Sequence, residues 1–332
     1  MISAVEPRMP SISYVVTVYN KAPVLPFLIA GLSAQEGNFE REFIFIDDGS
    51  TDDTASLLRG LTAGWREVTI VSQPNKGPAV ALNAGFRRAR GDLIKPMDGD
   101  DILLPWATRR LFEAIETTGC AVAFGLPTLP YALAGQPEDA IAACVYQPGR
   151  IERRDDMLRR SLQRAQTNPS TWLARADTVR RSGGCDERVF IQDYSIELRL
   201  AVLGCVAHLH EAIVRSPAAA PSRLSDNQAQ ILHDMNLALA YFLADHPVLP
   251  RHVARFVFVR AASRAWHWSR RHGSGGLAST EFRRTCGARL GLLRSTPTNV
   301  LATCAAFAKT NSIRVPLAPL ARVTCPLQPI RT

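Results

Sequence analysis

Several features are missing from this 332-residue sequence, and each absence narrows what it does. No uninterrupted apolar run reaches the roughly 18 residues that an ordinary membrane-spanning helix needs. No basic start and apolar stretch precede Tyr14, so a signal peptide is not expected. The seven cysteines (Cys120, Cys144, Cys185, Cys205, Cys286, Cys304, Cys325) are odd in number, scattered and without a C-x-x-C pair. They support neither a zinc cluster nor a disulfide framework, and read as reduced thiols of a cytosolic protein. The triplet Asn168-Pro169-Ser170 is closed to glycosylation by its proline. The turn after the first apolar run carries no G-x-G-x-x-G, and no G-x-x-x-x-G-K-[ST] occurs anywhere, so the two commonest glycine-based phosphate cradles are absent. Internal repeats are absent too.

Lysine is scarce. Only Lys21, Lys76, Lys95 and Lys309 are found among 39 basic residues, so coding bias competes with selection for a partner as the source of the arginine excess. Acids are scarce only at one end. Residues 251–332 hold 14 Lys or Arg and the single acid Glu281, hence +13, whereas the first 250 hold 25 basic and 29 acidic residues, hence −4. An anionic membrane, an anionic ligand or nucleic acid could each suit such a tail. No helix-turn-helix or RNP-like signature accompanies it, so nucleic acid is not expected as a partner.

What is present alternates. Ile12–Val18, Phe43–Ile46, Val68–Val71, Leu93–Met97 and Ala121–Phe124 are short apolar runs that read as strands. Helical spacing separates them, with Asn20 as an expected N-cap, Ser50 and Asp53 as a second helix start, and Pro78 and Pro105 opening two more. The expected fold class is α/β, a mostly parallel sheet flanked by helices. Residues 126–170 read as irregular around a short helix at 155–164. Helices are expected near 176–181, 194–203 and 225–244, with a linker at 217–221. The basic remainder reads as helical until Pro297.

In such a sheet, ligands bind outside the C-terminal ends of the strands. Polar clusters fall there: Thr17, Tyr19 and Asn20 after the first strand, Asp47 and Asp48 after the second, Asp98, Asp100 and Asp101 after the fourth. Gathered carboxylates repel unless a cation lies between them, and a hard divalent ion with oxygen ligands and substrate phosphates supplies that charge. A calcium loop fails from either start, because Leu103 and Arg109, or Asp53 and Arg59, occupy the required Gly and Glu positions. The residues alone therefore point to a metal–nucleotide site, with Asp-rich turns as the plainer alternative.

The ordered series VTVYN (16–20), DDGSTDDT (47–54), NKG (75–77) with NAG (83–85), ARGD (89–92) and DGDD (98–101) resembles the family 2 inverting glycosyltransferases of GT-A fold. GGCDE (183–187), Gln192-Asp193 and LRL (198–200) resemble the acceptor half of that family. The resemblance implies a GT-A catalytic domain over 1–216, divided into a nucleotide-sugar half (1–104) and an acceptor half (105–216), and a helical basic region over 217–332. It implies a nucleotide-diphosphate sugar donor, a UDP-sugar foremost, held with Mg²⁺ or Mn²⁺. Thr17, Tyr19 and Asn20 would line the nucleobase pocket, Asp47 or Asp48 would meet base or ribose, and Asp98 and Asp100 would be the D-x-D pair, Asp100 ligating the metal. Asp193 would be the catalytic base, or else only a helix N-cap.

Gln192, Lys21 and Ala81 depart from the family's usual residues, and the Q/R-x-x-R-W signature of processive synthases is missing. A single-addition enzyme acting on a glycan or lipid-linked acceptor in surface-polysaccharide biosynthesis is therefore expected. The expected location is cytoplasmic, at most peripheral to the inner membrane face through the basic region. The competing reading is a module of the same fold that binds a nucleotide-sugar or glycan without turnover. A sugar nucleotidyltransferase would want a Gly- and Arg/Lys-rich loop after the first strand, which is not seen. Three further features remain open. Trp266-His267-Trp268 reads as a sugar platform or as helix aromatics. Arg153, Arg154, Arg159 and Arg160 read as an anion site or as a solvated face. His208 and His210 share one strand face, and suit a metal only if a third ligand lies nearby.

Overall fold

The computed structural model describes residues 10–128, 130–133, 135–218, 226–308 and 313–314. Its first half is a repeated strand–helix unit: β1 (Ser11–Val18), α1 (Leu25–Ser33), β2 (Glu40–Asp47), α2 (Thr54–Leu61), β3 (Val68–Ser72), α3 (Pro78–Phe86) and β4 (Leu93–Asp98). The strands β3-β2-β1-β4 lie side by side and all parallel. β1 is apolar on both sides because both are covered, as expected for an interior parallel strand. Tyr14 and Val16 pack with Leu28 and Leu32 of α1 in one core. Val15 points the other way, towards Ala79 and Leu82 of α3 in a second core. Each fully buried leucine here contributes about 2 kcal/mol.

The second half extends the sheet with β5 (Ile102–Leu103), β6 (Val122–Pro127), β7 (Ile151–Arg154), β8 (Trp172–Arg175) and β9 (Val206–Arg215). The order continues β4-β8-β6-β9-β5, with β7 on β9; β8 runs antiparallel to both neighbours, so the sheet is mixed. The helices between are α4 (Ala107–Thr118), α5 (Pro137–Ala142), α6 (Met157–Gln163), α7 (Ala176–Ser182) and α8 (Asp193–Ala201). After β9 come α9 (Gln228–Asp245), α10 (Arg251–Arg271), α11 (Thr280–Leu290), α12 (Pro297–Leu301) and α13 (Ala305–Ala308). Leu237, Phe242, Val257 and Phe258 of α9 and α10 share a core with Leu162, Tyr194 and Leu198 of α6 and α8. Among the described residues, no helix is long and apolar enough to cross a membrane.

Several local expectations are corrected. Asn20 is not an N-cap: it sits at φ +51°, and α1 begins only at Leu25. Its side-chain oxygen is occupied elsewhere, accepting the backbone N–H of Thr51 at 2.8 Å. Ser50 does not start α2 either, since its hydroxyl accepts the Asn20 N–H. The stretch 126–170 is less irregular than expected, for it holds α5, β7 and α6. Pro297 opens a helix rather than closing one. Cys120 and Cys205 are not free thiols but form a disulfide, their Cα atoms 5.4 Å apart. They precede β6 and β9, two paired strands, and no sequence spacing reveals that meeting. The proline-bearing C-terminal end and residues 219–221 of the expected linker lie outside the described residues.

Part of the basic tail serves packing. Arg264 donates to Asn236 on α9, and Arg260 to the carbonyl of Gln163. Trp268 is buried against Phe307, and Trp266 donates to the Gly275 carbonyl while packing on Phe282. Trp268 is core and Trp266 is half-buried against Phe282, so the pair does not form an open platform. Arg159 and Arg160 pair with Asp156, and Arg153 with Asp155.

Candidate active site

A cleft of about 650 Å³ opens at the C-terminal ends of β1 and β4. The sheet delivers its first wall directly, because β1 and β4 pair in register, Thr17 opposite Asp98. Thr17, Tyr19, Asn20 and Lys21 continue from β1, and Asp98, Gly99, Asp100 and Asp101 from β4. Gly99 is needed where the two loops touch: a Cβ there would lie 2.7 Å from the carbonyl oxygen of Thr17. Asp193 and Gln192 enter from the start of α8, with Gln192 donating to Asp98 at 3.4 Å. Thus Thr17, Tyr19, Asn20, Asp48, Asp98, Asp100 and Asp193 share one cleft.

Asp47 does not join them. Its carboxylate accepts the Ser50 N–H at 3.0 Å and the Ser72 hydroxyl at 3.2 Å, which holds the turn after β2 and leaves Asp48 as the lining residue. Asp48 in turn accepts from Gln73, from the N–H of Lys76 and from the N–H of Gly77, at 2.8, 3.0 and 2.9 Å. It therefore shapes the Asn75–Gly77 loop that forms another wall. Asn83 ties the two halves together: it donates to Cys185 O and Glu187, and accepts the Cys185 N–H at 2.8 Å.

The electrostatics are crowded. Burial pushes the Asp98 carboxyl well above the usual range, and the charges of Asp193, Asp101 and Asp100 add to it. Burial, with Asp100 beside it, raises Asp101 to about 6 against the hydroxyls of Ser170 and Ser216. Asp193 rises to about 7, first through burial and then through the charge of Glu197 one turn along α8. Two cations answer. Lys21 bonds Asp100 at 2.5 Å. Lys95 is completely buried on β4, its ammonium donating to the carbonyls of Pro96 and Ser170. Burial lowers it to about 7, against the pull of Asp101 and Asp98.

Sequence reasoning missed Lys95, because a lysine inside an apolar strand carries no pattern of its own. It also missed the contribution of the C-terminal region to this cleft. Gln230, Asp234 and Met235 of α9 line it, and so does Arg314, whose backbone is pinned by two hydrogen bonds to the Gln230 side chain. Arg314 lies over the Phe190 ring, 5.5 Å from its centroid.

Oxygen-rich carboxylates at the C-terminal ends of a parallel half-sheet, with a mixed sheet beside them, occupy the edge where open α/β sheets bind ligands. Residues 13–165, a little under half of the chain, match the family model Glycosyl transferase family 2, and over that stretch the chain is similar to family 2 glycosyltransferases, on a fold of GT-A type. A succinoglycan biosynthesis protein, ExoO of Rhizobium meliloti, is 34% identical over 116 residues, covering 35% of this chain and 33% of that protein. An undecaprenyl-phosphate 4-deoxy-4-formamido-L-arabinose transferase of Pseudomonas fluorescens is 37% identical over 106 residues, 31% of each chain. The similarity thus spans about a third of the length of these curated relatives. The fold likeness is broader. S. aureus TarS 1–349 in complex with UDP-GlcNAc superposes with a TM-score of 0.62 at 16% identity, over 92% of this chain and 93% of that one. The mannosyltransferase PcManGT from Pyrobaculum calidifontis, in complex with GDP-Man and Mn²⁺, gives a TM-score of 0.55 at 18% identity, over 92% and 88%.

Proposed function

We propose that this chain transfers a sugar from a nucleotide-diphosphate donor, foremost a UDP-sugar, to a hydroxyl of a glycan or lipid-linked acceptor, with inversion and with a divalent metal. The observation that carries the reading is the meeting of Asp98, Asp100 and Asp193 in one cleft although 94 residues separate the first from Gln192 beside the last. Thr17, Tyr19 and Asn20 would receive the nucleobase, and Asp48 would set the loop that borders it. Asp47 acts behind that wall.

The residues fit Mg²⁺ or Mn²⁺. Asp98 and Asp100 offer hard oxygens, and the mutual repulsion of the buried carboxylates is the kind a divalent ion relieves. When bound, such an ion stabilises negative charge on a departing diphosphate. Asp100 would ligate it, once released from Lys21, and Asp98 would assist. Asp193 would accept the proton of the acceptor hydroxyl as its oxygen attacks the anomeric carbon from the face opposite the leaving group. A carboxyl raised to about 7 suits that role, because a base poised near the working pH transfers protons best. Arg314 would add positive charge beside the diphosphate.

The wider setting proposed is surface-polysaccharide biosynthesis at the cytoplasmic face of the membrane, a reading supported by the likeness to a succinoglycan biosynthesis protein and an undecaprenyl-phosphate sugar transferase. Exposed Arg270 and Arg271 at the end of α10 would contribute attraction of about 1 kcal/mol each to anionic lipid. The test is nucleotide release from UDP-, GDP- and dTDP-sugars with Mn²⁺ and candidate glycan acceptors. One donor class should be consumed, and Asp193→Asn should abolish consumption while retaining donor binding. Binding without turnover in the wild type, across acceptors, would support the non-catalytic module instead.

A further inference from the structure

Away from the cleft, one polar cluster has no part in the reaction. Strand β7 pairs antiparallel with β9, placing Glu152 directly across from His208. His210 lies two residues on, so all three side chains rise from one face of the strand pair. One ligand atom from each lies within 4.8 Å of the others. Glu152 Oε2 is 2.7 Å from His210 Nε2 and 3.9 Å from His208 Nδ1.

We propose that Glu152, His208 and His210 form a zinc-class cation site, separate from the donor cleft, that fastens β7 to β9. The third ligand that the sequence left open is supplied across the sheet.

Three arguments support it. Zinc bonds to imidazole nitrogen and carboxylate oxygen are about 2.0–2.1 Å, so ligand atoms around a tetrahedral ion stand about 3.3 Å apart. The two measured separations fall on either side of that value and need only side-chain rotation. Second, His208 is 94% buried on the ring of Phe124, 4.6 Å between centroids, and its Nδ1 is buried without a hydrogen-bond partner. A buried nitrogen with nothing to bind is costly unless a ligand completes it. Third, entry is open: the side chains of Glu152 and His210 keep 33% and 27% of their surface in solvent, which leaves room for water as a fourth ligand.

Arg154 donates to Glu152 Oε2 at 3.1 Å and would orient the carboxylate from behind, as partners of metal ligands commonly do. The ligand set also separates this site from the cleft. Two imidazoles and one carboxylate favour zinc, cobalt or nickel, whereas all-carboxylate donors favour magnesium or manganese. His210 stands six residues before Ser216, the residue just past β9 whose hydroxyl meets Asp101, or about 20 Å of extended chain. The consequence is structural. Among the described residues β7 pairs with β9 alone, and the ion would hold that short strand.

The test uses the full chain carrying Asp100→Asn, which removes the cleft's expected metal ligand, stripped with chelator and titrated with Co²⁺. The expected result is a visible ligand-field band that saturates at one equivalent and is bleached by Zn²⁺. It should disappear, or need at least about tenfold more Co²⁺, in both Glu152→Gln and His210→Gln. His210 is part-exposed, so its variant should remain folded, and circular dichroism on the same samples checks this. No band, or a band unchanged in both variants, overturns the proposal. Neither outcome bears on the donor site, which can bind nucleotide-sugar whether or not this ion is present.

Discussion

Replacing Asp193 by asparagine should make the protein more stable and inactive at once. A carboxyl near 3.9 in the unfolded chain and about 7 when folded binds its proton more tightly in the native state. Above pH 4 folding therefore works against ionisation, and stability is lost as pH rises from the lower value to the higher. Taken alone, that difference amounts to about 4 kcal/mol at pH 8. The repulsion is shared with Glu197 and Asp101, so removing one charge should recover only about 1–3 kcal/mol. Asparagine keeps the volume, and its amide can donate to the remaining carboxylates. For a chain of this size the expected rise in Tm is about 2–6 °C at pH 8 in metal-free buffer. The gain should shrink by more than half by pH 5, where the wild-type carboxyl is already protonated. Transfer should fall by about 10²–10⁴, the usual worth of a general base. Calorimetry across pH 5–8, paired with nucleotide release at saturating acceptor, checks both arms. An unchanged or lower Tm at pH 8, or near-normal turnover, would refute the reasoning.

Other perturbations follow from the same geometry. Wild-type kcat/KM should decline as pH falls below about 7, since the base of the reaction is then protonated; a flat profile down to pH 5.5 would exclude Asp193 from that role. Lys21→Met should tighten Mn²⁺ binding in the absence of donor by about three- to tenfold, read by electron paramagnetic resonance, because the ammonium bonded to Asp100 is gone. Asn83→Ala breaks three hydrogen bonds, two of them buried, to the Cys185–Glu187 segment and should cost about 2–4 kcal/mol in denaturant unfolding. Arg314→Ala should raise donor KM about tenfold while leaving Tm within a degree or two, since its backbone bonds to Gln230 persist.

The first half of the sheet was legible in the sequence because each strand is a short apolar run ended by a polar turn, and parallel burial on both faces demands that pattern. The aspartates were legible as a cluster for the same reason: they stand at strand ends, where a parallel sheet exposes its ligand face. The second half was harder. β5 has two residues and β7 reads Ile-Glu-Arg-Arg, so neither shows an apolar period; only pairing with β9 makes them strands. Asn20 has the composition of an N-cap, yet a tertiary contact to Thr51 captures its side chain. Asp47 and Asp48 are neighbours with opposite assignments, because strand alternation sends one into the turn and the other to the cleft. Lys95, Arg314 and the Cys120–Cys205 pair depend on contacts between distant segments, which local spacing does not encode.

The proposed nucleotide-sugar site would be completed by metal at Asp98 and Asp100. Its most direct test is the thermal stabilisation of the full chain by UDP-, GDP- and dTDP-sugars, each with and without Mn²⁺, in wild type and in Asp100→Asn. The expected result is a Tm rise with one nucleotide class, UDP-sugars foremost, that requires Mn²⁺ and vanishes in the variant. No response to any donor, or a response indifferent to both metal and Asp100, would contradict the account.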